Sequence, residues 1–64
     1  METKRVYFIM PNLTGGGAER VASILVNQFA ESGVETTLVL VKNDIIEYRI
    51  DSRVKIDKSI MHES

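Results

Sequence analysis

The stretch Val6-Tyr7-Phe8-Ile9-Met10-Pro11-Asn12-Leu13-Thr14-Gly15-Gly16-Gly17-Ala18-Glu19-Arg20 decides how this chain is read, because three kinds of local chemistry follow one another in it. Residues 6–10 are a continuous apolar run rich in β-formers, bounded by Lys4-Arg5 before it and Pro11-Asn12 after it, and they predict a first strand. No polar residue interrupts the run, so the strand is expected to be buried on both faces. From Asn12 to Gly17 the chain turns, since three successive glycines bring no side chain to pack and open backbone angles closed to other residues.

Beyond the turn, from Ala18, the period changes. Val21, Ile24, Leu25, Gln28 and Phe29 fall at i, i+3, i+4, i+7 and i+8, and only Gln28 breaks the apolar stripe of the helix so predicted. Gly33 stops that helix, because a glycine just past the last turn accepts the left-handed angle of a C-cap. After Glu35, the run Thr36-Thr37-Leu38-Val39-Leu40-Val41 predicts a second strand, mostly apolar and β-branched. A strand, a helix and a second apolar strand at this spacing read as a βαβ unit with parallel strands and a right-handed crossover. The fold class is therefore α/β, a small parallel sheet with one main helix.

The remainder is less patterned. Residues 42–50 are mixed in charge and read as a connection, with at most a short turn of helix or strand around Ile45-Ile46-Glu47-Tyr48. Asp51-Ser52-Arg53 signals a turn, Val54, Ile56 and then Ser59 or Ile60 alternate as a third strand, and residues 61–64 are expected to fray.

Size and composition bound the function. A chain of 64 residues forms at most one small domain, burying roughly 60 % of the surface its unfolded state exposes, so its stability is marginal. There is no cysteine to form a disulfide, and the single His62 has no partners for a metal site and reads as a polar tail residue. A hydrophobic fraction of 44 % with 27 % charged residues argues for a folded domain rather than a disordered one. The net charge is −1 and the basic residues are scattered, which removes the footprint that nucleic-acid binding needs. The apolar run ending at Pro11 is too short for a signal-peptide core, and no stretch approaches the roughly 20 apolar residues of a membrane span. A cytoplasmic chain is expected; peripheral attachment at the inner membrane face stays open.

Both strands read as runs covered on two sides, yet only one long helix is present to cover them. One crossover covers one face, so alternate side chains within residues 6–10 and 38–41 are expected to lie open on the other. Either the chain pairs with a copy of itself or it belongs to a larger α/β domain; the expectation is a fragment that forms homo-oligomers when isolated. The remaining alternative is that the segment after the second strand folds back as the cover.

Gly15, Gly16 and Gly17 lie between a parallel strand's carboxyl end and a helix amino terminus, where ligands bind in open α/β sheets. The first helical turn leaves amides without intrahelical partners and carries the positive end of the helix dipole, which suits a phosphate. A tight turn with no ligand accounts for the glycines equally well. Thr14 either offers its hydroxyl to the same anion or caps the turn. Glu19 complements the helix dipole, whereas Arg20 is a cation beside a helix amino terminus and faces either a ligand, a carboxylate or solvent. Gly-Gly-Gly-Ala-Glu-Arg is not G-x-G-x-x-G, and Lys42-Asn43 follows the second strand where a dinucleotide site needs an acid. No G-K-[ST] is present, so a P-loop is excluded, and no Ser-His-Asp set, Cys-His pair or carboxylate pair supplies catalytic residues.

With these residues in place, the segment from Val6 through Val21 resembles the amino terminus of family 4 (group 1) glycosyltransferases. Gly33-Val34-Glu35-Thr36-Thr37-Leu38-Val39 is similar to that family's G-h-E-V-T-L-V second strand, and Asp51-Ser52-Arg53-Val54-Lys55-Ile56 to its D-x-R-V-K-V segment. The resemblance implies that residues 1–64 are the amino-terminal fragment of a Rossmann-like acceptor domain in a two-domain GT-B enzyme. It further implies a retaining transfer of sugar from a nucleotide-sugar donor to a glycan or lipid-linked acceptor, as in polysaccharide biosynthesis, with no bound metal and no cofactor. By the same resemblance Gly15, Gly16 and Gly17 lie near the donor diphosphate. The family's paired glutamates have no counterpart here, so this chain is expected to hold no catalytic residue and to be inactive alone. The alternative is a non-catalytic α/β interaction module that self-associates through an uncovered sheet face.

Overall fold

A computed structural model describes residues 4–61. In chain order the elements are β1 (Arg5–Met10), α1 (Gly17–Glu31), β2 (Glu35–Leu40) and β3 (Lys55–Asp57). The three strands form one sheet in the order β1-β2-β3, with β1 parallel to β2 and β2 parallel to β3. Parallel neighbours need a crossover, and α1 supplies the one between β1 and β2. The α/β class and the parallel βαβ unit expected from the sequence are present.

The register sorts the strand side chains into two faces. Phe8 lies beside Leu38 and Leu38 beside Ile56, while Met10 lies beside Leu40. These residues join Leu13, Ala22, Val26, Ala30 and Val54 in the core, so this is the face that α1 covers. On the other face Thr37 lies between Tyr7 and Lys55, and Val39 between Ile9 and Asp57.

That second face carries no covering layer among the described residues, and it corrects two expectations. β1 is not buried on both faces: Tyr7 is 60 % and Ile9 67 % exposed, the open alternate side chains expected where one helix covers one face, because β1 is an edge strand as well as uncovered. Val39, expected to lie open, is only 8 % exposed, since its central strand is flanked by Ile9 and Asp57. The segment after β2 does not act as the cover. It runs along α1 instead, where the Asn27 amide group donates to the Arg49 carbonyl at 2.8 Å and its oxygen accepts from the Asp51 amide at 2.7 Å.

Helix α1 begins with Gly16 as N-cap and ends at Ser32. Gly33 follows in the left-handed region at φ 85, its amide bonded to the Ala30 carbonyl at 3.1 Å, as a glycine after the last turn permits. The buried face is Ala22, Ser23, Val26 and Ala30 rather than the stripe of Val21, Ile24, Leu25 and Phe29. Small residues let the helix backbone approach the sheet, and the larger side chains are left beside or above that contact. The Ser23 hydroxyl is satisfied at 2.7 Å by the Arg20 carbonyl.

Later elements are shorter than expected. Around residues 45–48 there is no helix or strand, only an isolated parallel bridge between Leu13 and Ile46. β3 ends at Asp57, and neither Ser59 nor Ile60 extends it; Ser59 instead turns the chain by donating its amide to the Asp57 carboxylate at 2.9 Å. Met61, expected to fray, packs against the core. His62 and the rest of the tail lie outside the described residues.

Candidate functional site

The glycine turn is built outward from Leu13. Its side chain is fully buried, its amide donates to the Ile45 carbonyl at 3.0 Å, and its carbonyl accepts from the Glu47 amide at 2.9 Å. One residue earlier, the Asn12 side-chain oxygen accepts from both the amide of Thr14 (3.1 Å) and its hydroxyl (2.9 Å). Thr14 therefore commits its hydroxyl proton to the turn, leaving only its lone pairs for anything else.

Gly15 then takes φ 54, a left-handed angle that a side chain opposes. Two contacts from residues 47 and 48 brace it. The Gly15 amide donates to Glu47 Oε1 at 2.8 Å, and the Tyr48 hydroxyl donates to the Gly15 carbonyl at 2.6 Å, with the Gly16 carbonyl at 3.5 Å. Neither Glu47 nor Tyr48 was a candidate from the sequence, because a tie across more than thirty residues leaves no local pattern. Asn12 was legible in principle: an Asn after Pro at a strand's end is an Asx-turn signal.

The N-cap Gly16 makes no side-chain capping bond, and the first intrahelical bond runs from the Arg20 amide to the Gly16 carbonyl at 3.3 Å. Four successive amides, Gly16, Gly17, Ala18 and Glu19, thus have no hydrogen-bond acceptor among the described residues. The structure places Gly15, Gly16 and Gly17 at the handover from β1 to α1, but the open amides begin at Gly16, because that of Gly15 is occupied by Glu47.

Space and charge around the turn are uneven. A Cβ added at Gly15 or Gly17 would meet nothing within 4 Å, whereas one at Gly16 would lie 2.6 Å from Glu19 Oε1. Glu19 and Glu47 therefore both bring carboxylates to the turn. Arg20 is exposed, and its side chain has no ion-pair partner among the described residues. Backbone amides and one cation can attract an anion, and the two nearby carboxylates weaken that attraction.

Elsewhere, a hollow of about 110 Å³ lined by Asn27, Glu31, Arg49 and Asp51 lies beside the second half of α1. Its Asn27 already bonds the passing backbone through both side-chain atoms, which gives it a structural role. Next to it, Asp51 accepts from the Arg53 side chain at 2.9 and 2.8 Å and from the Arg53 amide at 2.9 Å. Those hydrogen bonds hold the Asp51 carboxyl well below the usual carboxylate range and raise the Arg53 guanidinium. Hydrogen bonds from Ser59 likewise lower Asp57.

Among the described residues no cluster of His, Cys, Asp and Glu is placed to hold a metal ion, and no helix is long and apolar enough to cross a membrane. No protein-family model, curated protein or solved structure matches the chain.

Proposed function

We propose that this chain is the amino-terminal part of a retaining, nucleotide-sugar-dependent glycosyltransferase, with its glycine turn facing the donor diphosphate. The observation that carries this reading is the run of four amides, Gly16 to Glu19, without acceptors at the carboxyl end of β1. Strand-end amides backed by a helix dipole bind phosphate without any special side chain. Arg20 on the first turn adds an exposed positive charge, and the open space at Gly15 and Gly17 admits an anion close to the backbone.

In this reading a Rossmann-like GT-B acceptor domain continues beyond the described sheet, and a second domain supplies the catalytic groups and most donor contacts. The glycan or lipid-linked acceptor meets the donor between them on the cytoplasmic side, including the inner membrane face. The isolated chain binds weakly, on the order of millimolar, since half of a ligand-burying cleft is lacking.

The test compares ligands that differ only in phosphate. UDP and GDP bind with similar weak affinity, while uridine and guanosine do not bind. Equal binding of nucleosides and nucleoside diphosphates would place recognition at the base and remove the glycine turn from the account.

A second reading, a non-catalytic α/β interaction module, is favoured by one observation: the large side chains of Tyr7 and Ile9 stand open beside a free strand edge.

A further inference from the structure

Four successive peptide planes, from Asn12-Leu13 to Gly15-Gly16, are each tied to residues 45–48. The Leu13 amide donates to the Ile45 carbonyl and the Leu13 carbonyl accepts from the Glu47 amide, which secures the first two planes through backbone alone. The third is held by the Gly15 amide on Glu47 Oε1 at 2.8 Å, and the fourth by the Gly15 carbonyl on the Tyr48 hydroxyl at 2.6 Å. Side chains of the segment thus take over from its backbone at the glycines, where the turn's own side chains no longer restrict its angles.

The fourth tie decides a direction. The carbonyl and amide of one trans peptide point opposite ways, so drawing the Gly15 carbonyl toward Tyr48 turns the Gly16 amide away from it. Among the described residues that amide has no acceptor, which leaves Tyr48 as the one hydrogen-bond partner seen to fix this plane. Reversing the plane would exchange the two groups and move Gly16 from φ −29 by about half a turn, into the range that glycine tolerates and a side chain opposes. Tyr48 is held in place to prevent this. Its ring packs against the core cluster, and its one hydroxyl proton goes to the nearer of two acceptors, the Gly15 carbonyl rather than that of Gly16 at 3.5 Å.

We infer that Tyr48 is a positioning residue that locks the Gly15-Gly16 peptide, and that it thereby sets which sign of charge the turn can receive. Locked, the turn presents the Gly16 amide, a donor. Reversed, it presents the Gly15 carbonyl, an acceptor that repels an anion. The lock depends on no ligand; only its consequence for phosphate rests on the function proposed above. Removing one hydrogen bond shifts an equilibrium of this kind by roughly two- to tenfold, and it brings the reversed plane into a population that relaxation methods detect.

NMR of the full chain tests this through amide relaxation dispersion at Gly16 and the NOEs from the Gly15 α protons to the Gly16 amide. The parent is expected to show a single orientation and no dispersion at Gly16. Tyr48→Phe keeps the ring and deletes the hydroxyl; dispersion then appears at Gly16 and the NOEs average, while the Leu13 and Glu47 amides keep their slow hydrogen exchange. Adding Gly16→Ala to that variant suppresses the dispersion, since the reversed plane now forces a positive φ on a side chain. Dispersion at Gly16 in the parent overturns the inference without any variant. So does a Tyr48→Phe chain whose Gly16 signals match those of the parent, or one whose dispersion survives Gly16→Ala. Free exchange at Leu13 and Glu47 in Tyr48→Phe overturns it too, because the whole segment has then come away and Tyr48 acts as general support.

Discussion

The Gly15 amide and the Glu47 carboxylate meet at 2.8 Å across 32 residues, so the protein supplies an anion of its own to the first amide of its glycine turn. A ligand phosphate bound at Gly16 to Glu19 would sit beside that charge. Exposed charges interact by a few tenths of a kcal/mol to about 1 kcal/mol. Glu47→Gln keeps an acceptor for Gly15 while removing the charge, and it should strengthen UDP binding about two- to threefold at low ionic strength. Titrations with added salt should shrink the difference; an unchanged or weaker affinity at low salt would mean that the anion sits elsewhere.

The four glycines should respond differently to the same substitution. Gly15→Ala and Gly33→Ala force left-handed angles of φ 54 and φ 85 on a side chain, at a cost of about 1–2 kcal/mol each. Gly17→Ala adds a Cβ to open space inside the helix and should be neutral or stabilise by up to about 1 kcal/mol. Gly16→Ala must displace only the flexible end of Glu19 and should fall between them. Urea midpoints order the four variants directly.

Where the sequence and the fold agree, the signal was local. The apolar run before Pro11, the glycine turn and the stop at Gly33 are properties of consecutive residues, and each stands within a residue or so of its expected place. The face of α1 was not legible. Val21, Ile24, Leu25 and Phe29 have helical spacing, but closeness of approach chose the ridge of Ala22, Val26 and Ala30. Burial of β1 depended on what covers the sheet, which its own run of apolar residues does not encode. In the site, the glycines and Thr14 were visible, whereas Glu47 and Tyr48 act through ties to distant backbone.

The weight of the core rests on few residues. Leu38 is fully buried in the central strand between Phe8 and Ile56, and Leu38→Ala should cost about 2–5 kcal/mol. In a chain of this size that loss leaves mostly unfolded protein at 25 °C, visible as lost far-UV ellipticity. Ile24→Ala, on the outer side of α1, should stay within about 0.5 kcal/mol of the parent.

Acid sensitivity should trace to Asp51. Its pKa is depressed in the folded chain, first by the Arg53 side-chain hydrogen bonds, so its contribution to stability is present above its ordinary value of 3.8 and is lost as pH falls toward the folded value. The parent should therefore melt above Asp51→Asn at neutral pH, and the gap should narrow progressively below pH 3.8. A gap that is constant or widens on acidification would contradict the assignment.

In the function proposed above, the open amides at the start of α1 receive a pyrophosphate. Amide-resolved NMR of the labelled chain during titration with UDP tests it most directly. The expected result is saturable shifts concentrated at Gly16, Gly17, Ala18 and Glu19, smaller changes at Gly15, and none in β3. Shifts confined to β3, or none at Gly16 to Glu19 when the ligand is in excess, would contradict it.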